Sequence, residues 1–257
     1  MKHKLIFIIA AAVLVLAIAG LLSWIFFVRG SSEKTSSGDT SFMQTLTGAK
    51  SDPLIKHLGV ELAPYDPVKK SVGDIVFTNI PLEFNRLFFD FGFKIPDNSA
   101  GTAKTNPQPT FIVPLGTKVH AIVDGVVVGI PKLYSNDYSI HIAASKNSNR
   151  IYEMEHVINP VVKEGDTVKA GDVVAEVSDY DTRNTPGFGL VEIGILEGGN
   201  PPKHVCPFEY LDPAFKDEVS TNLNSLYTAW NEYIGKTIYT PSTYALPGCI
   251  TTEKVEG

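Results

Sequence analysis

The chain has only two cysteines, Cys206 and Cys249, and neither belongs to a Cys-x-x-Cys pair. That spacing excludes the usual small zinc-site and thioredoxin-like arrangements. In an oxidising compartment a disulfide between the two is the better reading. Basic clusters are missing as well: apart from Lys2 and Lys4 at the N-terminus there is none, and the net charge is −6. Nucleic acid is therefore not an expected partner. Charged residues make up 19% of the chain against 44% hydrophobic, so 257 residues suffice to bury one good-sized core. No long apolar run occurs after Val28, and no long amphipathic helical pattern interrupts the stretch from Ile75 to Pro213.

The one long apolar run, Leu5 to Val28, contains no charged residue and follows Lys2, His3 and Lys4. As a helix it would reach roughly 36 Å, enough to cross a hydrocarbon layer of about 30 Å. Ala17-Ile18-Ala19 offers a signal-peptidase-like site as the competing reading. The run continues through Leu21, Trp24 and Phe27, longer than a secretory signal needs, so residues 1–28 are expected to be an uncleaved signal anchor. Lysines before the run, and only Arg29 after it, place the N-terminus in the cytoplasm and the rest of the chain outside. The expected location is thus the cell membrane, single-pass, with an extracytoplasmic domain.

Residues 29–70 begin Ser/Thr/Gly/Lys-rich and read as a linker followed by an irregular lead-in with several prolines. From about residue 71 to 213 short β-branched and aromatic runs are broken by Gly, Pro, Asn and Asp, as in TFIVPLGTKVHAIVDGVVVGI, YSIHIAAS and GLVEIGIL. Such spacing predicts a mainly β domain, an antiparallel sandwich or barrel-sandwich. Residues 214–257 read as a C-terminal helix and tail. Phe215, Val219, Leu223, Leu226, Trp230, Tyr233 and Ile234 recur at three- and four-residue intervals, with Pro213 at the start and Gly235 at the end.

The segments GTKVHAIVDGVVVGI, YSIHIAAS and IYEMEHVINPVVKEGDTVKAGDVVAEVSDY resemble the barrel-sandwich arrangement shared by lysostaphin-type zinc metallopeptidases and lipoyl or biotinyl domains. No modifiable lysine stands at a hairpin tip, which disfavours the lipoyl side. The stretch from Asp90 to Ile95, the Tyr152-x-x-x-His156 element, the strand GFGLVEIGIL and the ending CPFEYLDP point to the peptidase side, and the resemblance covers about Phe84 to Pro213. It implies a His-x-Gly-x-Asp motif with two zinc ligands, a His-x-His strand with the third ligand and a catalytic histidine, and a further histidine after the tyrosine. Zinc in such a site would polarise a peptide carbonyl and activate water.

Carried onto this chain, the first motif falls on Asp90, Gly92 and Lys94, which sets a cation in a ligand position. The His-x-His positions fall on Phe188 and Leu190 when Glu192 is matched to the family's following glutamate, or on Gly189 and Val191 one residue along. Only His156 then survives of five expected side chains. Asp90 and Lys94, four apart and so on one strand face, read as an ion pair in the metal's place. His156 is either a remnant lining a groove or an ordinary hydrogen-bonded histidine, and Glu192 either a strand residue or a ligand contact. His120 and His141 are expected to face away from the apolar side without a role, and Phe84, Phe88, Phe89, Phe91 and Phe93 to be core. Asp90, Lys94, His156, Phe188, Leu190 and Glu192 are thus expected to converge as a relic cleft.

The expected function is a non-catalytic binding or regulatory module of the cell envelope, with no cofactor, recognising cell-wall glycan, a peptide or an envelope protein. Two alternatives remain: a zinc peptidase with an atypical site drawn from Asp90, His156, Glu192 and Glu153 or Glu155, and a structural adaptor of an envelope complex. The adaptor lacks its usual long heptad hairpin.

Overall fold

The computed structural model describes residues 51–96, 104–180 and 185–256, so the expected membrane anchor and linker fall outside the described residues. Among the described residues no helix is long and apolar enough to cross a membrane. Among the described residues the fold is mainly antiparallel β with one α-helix. Its main sheet has 11 strands: β1 (Phe88–Phe89), β2 (Thr110–Pro114), β3 (Lys118–His120), β4 (Gly125–Gly129), β5 (Tyr138–Ala143), β6 (Arg150–Ile158), β7 (Thr167–Val168), β8 (Val173–Val177), β9 (Phe188–Glu197), β10 (Lys203–Val205) and β11 (Val255–Glu256).

Strand β9 is the axis of the site. Along one edge it pairs with β6, Glu155 opposite Glu192 and Glu153 opposite Gly194. Along the other it pairs first with β2, Thr110 opposite Glu192, and then with β10, His204 opposite Leu196. Strand β6 continues outward to β5, with His141 opposite Glu153. Side chains alternate between the faces of a strand, and the sequences of β6 and β9 obey that period. Tyr152, Met154, Val191, Ile193 and Ile195 are completely buried in the core, while Glu153, Glu155, Glu192 and Gly194 fall on the opposite face. At His156 the backbone turns left-handed, φ 58°, and β6 passes from β9 to β8, where Val157 faces Val177.

Helix α1 (Pro213–Ile234) forms where its apolar spacing places it, with Asp212 accepting from the Ala214 N–H at 2.9 Å and Gly235 closing it at φ 63°. Val219, Leu223, Leu226 and Trp230 bury its inner stripe. The Cys206–Cys249 disulfide spans 43 residues and returns the tail to the sheet, where the Ile250 N–H donates to Phe91 O at 2.9 Å. The lead-in, irregular by sequence, belongs to this core: Ile55, Leu58 and Val60 are buried, and Phe77 packs edge-on against Trp230 at 5.1 Å. Prolines hid its short three-stranded sheet (Tyr65–Asp66, Ser71–Val72, Ile75–Val76), which is anchored by these few residues rather than by periodicity.

Candidate functional site

The polar faces of β5, β6 and β9 line a cavity of about 630 Å³, whose walls include Asn106, Gln108, His141, Glu153, Glu155, His156, Tyr180, Glu192 and His204. Alternation in the segment Tyr-Glu-Met-Glu-His brings the two β6 glutamates here, because their neighbours Tyr152 and Met154 are claimed by the core. Strand pairing then sets Glu192 beside Glu155.

Glu153 is held from two sides. Its Oε1 accepts from Gln108 Nε2 at 3.0 Å and lies 2.7 Å from His204 Nε2, while Oε2 lies 3.7 Å from His141 Nε2. The carboxylate occupies space that Gly194 vacates. A Cβ at Gly194 would lie 2.5 Å from Glu153 Oε1 and 3.1 Å from Gln108 Cγ.

Glu155 and Glu192 face each other with no arginine among the described lining residues, and Lys104 is the only lysine there. Burial, and then the charge of Glu153, pushes the Glu155 carboxyl up to about 7. Burial, and then the charge of Glu155, pushes Glu192 up to about 8. At neutral pH Glu192 is therefore mainly protonated. Its Oε1 lies 3.3 Å from Thr110 Oγ1, which itself donates to Gln108 O at 3.0 Å. Burial also lowers the pKa of His141, against the opposing pull of Glu153.

The other end of the cavity is an imidazole–carboxylate pair against an aromatic wall. His156 Nδ1 lies 2.9 Å from Asp137 Oδ2, and its ring stacks on Tyr180 at 4.1 Å and 5°. The Tyr180 hydroxyl is 2.9 Å from that of Tyr134. Burial lowers the His156 pKa and outweighs Asp137. Burial raises Asp137, but hydrogen bonds from Ser135, Ser178 and His156 win and its pKa ends below the usual range. Neutral His156 thus donates from Nδ1 to Asp137 and keeps its Nε2 lone pair.

Of the residues expected to converge, His156 and Glu192 meet in this cavity and the other four do not line it. Asp90 turns into the core instead: its carboxylate accepts from the Tyr227 hydroxyl at 2.5 Å and pairs with Arg86 Nη1 at 3.4 Å. Lys94 is exposed and donates to Thr105 Oγ1 at 2.6 Å, so the expected Asp90–Lys94 ion pair is replaced by Asp90–Arg86. The left-handed Gly92 (φ 81°) interrupts the alternation that was to put Asp90 and Lys94 on one face. Phe188 and Leu190 share the face of Glu192 but lie nearer the start of β9, opposite Pro114 and Ile112. His141, expected to face away from the apolar side without a role, does face away from it, into the cavity. Gln108, Asp137, Tyr180 and His204 carried no sequence signal of their own; Glu153 and Glu155 did, as acids alternating with Tyr152 and Met154.

The residues facing β9 across the cavity are Asn106, Gln108 and Thr110, spaced two apart on the approach to and start of β2, and the β9 positions facing them are Glu192 and Gly194. The ligand set that the resemblance implies is two imidazoles and a carboxylate. Amides, a hydroxyl, one carboxyl and a glycine stand there, and the family's zinc does not fit.

Residues 109–195 match peptidase family M23. No curated protein matches the sequence. Among solved structures the chain is similar to the catalytic domain, as a point mutant, of the prophage-encoded M23 protein EnpA from Enterococcus faecalis, at 23% identity over 46% of this chain and 85% of that one, TM-score 0.35. It is similar at 20% identity to the catalytic domain of lysostaphin from Staphylococcus simulans, over 43% of this chain and 79% of that one, TM-score 0.35. A third similar structure is the SpoIIQ–SpoIIIAH pore-forming complex, at 14% identity over 55% and 89%, TM-score 0.35. The matched stretch, residues 109–195, runs from just before β2 through most of β9 and so takes in Glu153, Glu155, His156 and Glu192.

Proposed function

We propose that the chain is a non-catalytic binding or regulatory module of the cell envelope, built on a barrel-sandwich M23 domain and tethered to the membrane by residues 5–28 with the domain outside. One observation carries this reading: the cavity is present, while the side chains that face β9 across it, Asn106, Gln108 and Thr110, include no imidazole and no carboxylate. A fold that retains its cavity and loses its metal ligands retains the means to hold a substrate-like chain and loses the means to cut it. Cell-wall peptide is the favoured ligand class, because a carboxylate-rich floor beside the Tyr134–Tyr180 wall suits amide and ammonium groups. Glycan and an envelope protein are the other candidates.

The clustering of His141, Glu153 and Glu155 favours one other reading, a peptidase using a metal site of different composition. Co-sedimentation of the protein with insoluble cell wall, followed by analysis of the supernatant for released peptide, separates the two. Binding without release supports the module. Metal-dependent release of peptide overturns it.

A further inference from the structure

Among the described residues, two groups of side chains bring three metal-capable ligand atoms within 4.8 Å of one another: His57, Glu61 and His120, and His141, Glu153 and Glu155. Their hydrogen bonds distinguish them. The Gly59 N–H donates to His57 Nδ1 at 3.1 Å, so that nitrogen carries no proton. The proton of the neutral ring then sits on Nε2, 3.4 Å from Glu61 Oε1, and no lone pair is left for an ion between them. This first group is satisfied as a hydrogen-bonded pair.

The second group is differently built. Glu153 Oε1 is taken by Gln108 and His204, which fixes the carboxylate and leaves Oε2 toward His141 Nε2. Carboxylates that ligate metals are commonly oriented in this way through their other oxygen. His141 and the two glutamates stand on the paired strands β5 and β6, a rigid platform. His204 lines the same cavity with 7% of its surface exposed, and its Nδ1 has no hydrogen-bond partner among the described residues. That nitrogen lies across the ring from Nε2, which holds Glu153, so His204 acts as an outer support of the Glu153 carboxylate and not as a ligand.

We propose that the cavity binds one divalent transition-metal ion, of the zinc or manganese class, through His141 Nε2, Glu153 Oε2 and a Glu155 carboxylate oxygen. One imidazole with two carboxylates suits such ions. Atoms around one ion at about 2.1 Å lie roughly 3 to 4 Å apart, a small contraction of the present cluster. The site lies on β5 and β6, beside the β2–β9 gap where the family's zinc fails to fit, and it stands whether the cavity binds a chain or cuts one. The Glu192 carboxyl, opposite Glu155, is left to bind a ligand or a proton.

The test uses the full chain in detergent, stripped with chelator and dialysed against zinc or manganese chloride, with bound metal counted by mass spectrometry. About one equivalent per chain is expected, with affinity reduced at least about tenfold in Glu155→Gln and in His141→Ala and unchanged in His57→Ala. Glu155→Gln keeps side-chain volume, and near-ultraviolet circular dichroism verifies that each variant is folded. Absence of stoichiometric metal on the folded wild-type chain overturns the proposal. So does binding that survives both cavity substitutions and is lost in His57→Ala.

Discussion

Among the described residues, two places take carboxylates out of solvent, and they satisfy them in opposite ways. Asp90 is completely buried, yet it has a cation in Arg86 and a hydroxyl in Tyr227. Arg86 in turn donates to Ile238 O at 2.9 Å and lies over the rings of Phe93 and Tyr239 at 4.3 and 4.6 Å. Every strong polar group there is spent on tying the first strand to α1 and the tail. In the cavity Glu153, Glu155 and Glu192 have imidazoles, an amide and a hydroxyl, but no arginine and only Lys104 among the described lining residues. Burial raises the pKa of Asp90 to about 6 as well, so a raised pKa alone does not tell the two apart. The presence or absence of a compensating cation does.

Breaking the first site is the larger perturbation. Asp90→Ala strands the Arg86 guanidinium among aromatic rings, and removal of one partner from a buried pair costs about 3–5 kcal/mol. Urea or guanidinium unfolding is expected to show that loss in the midpoint with little change in the slope. A loss under about 1 kcal/mol would mean that Asp90 is not structural and would reopen its place in a ligand site.

The cavity behaves in reverse, since removing charge there relieves the fold. The folded-state pKa of Glu192 is raised to about 8 and that of Glu155 to about 7, from an ordinary 4.5. Between these limits the folded chain holds protons that the unfolded chain has released, so stability is greatest at low pH and falls as pH rises from about 5 to 8. Glu192→Gln is expected to change stability by less than about 1 kcal/mol at pH 5 and to stabilise by on the order of 4 kcal/mol at pH 8 in metal-free buffer. Denaturation at the two pH values checks this, and a wild-type chain that gains stability toward pH 8 contradicts the assignment.

Much of the fold was legible. The period-two runs, the cap residues Asp212 and Gly235, and the pairing of Cys206 with Cys249 state themselves locally, since each is fixed by chemistry within a few residues or by elimination. The site was legible only in part. His156 and Glu192 lie in segments whose strand pattern is regular, and both are found where the cavity is. Asp90 and Lys94 failed because a motif of three positions two apart can be laid on either of two neighbouring strands. The segment Asn106-Pro107-Gln108-Pro109-Thr110 has the same spacing, and it is this segment, not Asp90 to Lys94, that borders the cavity. Which of the two faces β9 is a matter of sheet order, a long-range fact carried by the β2–β9 pairing. His204 and Asp137 reach the cavity from β10 and from the turn before β5 for the same reason.

Gly194 gives a smaller effect confined to the cavity. Alanine there sets a methyl 2.5 Å from Glu153 Oε1, and because Glu153 is pinned by Gln108 and His204 it cannot withdraw without losing both. A loss of about 1–3 kcal/mol is expected from such overpacking. Gly194→Ala combined with Glu153→Ala is expected to recover part of it, as contacting residues couple. If Gly194→Ala folds as stably as the wild type, the carboxylate is mobile and the cavity is less organised than the Asp90 network.

Lys94 offers the smallest effect and the cleanest contrast between the regions. If it were the cation that neutralises the cavity, its removal would raise the repulsion among Glu153, Glu155 and Glu192 and steepen the fall of stability with pH. The side chain is instead exposed and donates to Thr105, a contact that water replaces at little cost. Lys94→Ala is therefore expected to change stability by less than about 0.5 kcal/mol and to leave the pH 5 to pH 8 difference of the wild type intact. Parallel unfolding curves for the two proteins at both pH values measure this directly. A steeper pH dependence in Lys94→Ala would bring Lys94 back into the electrostatics of the cavity and remove the distinction drawn between a carboxylate with its own cation and three without one.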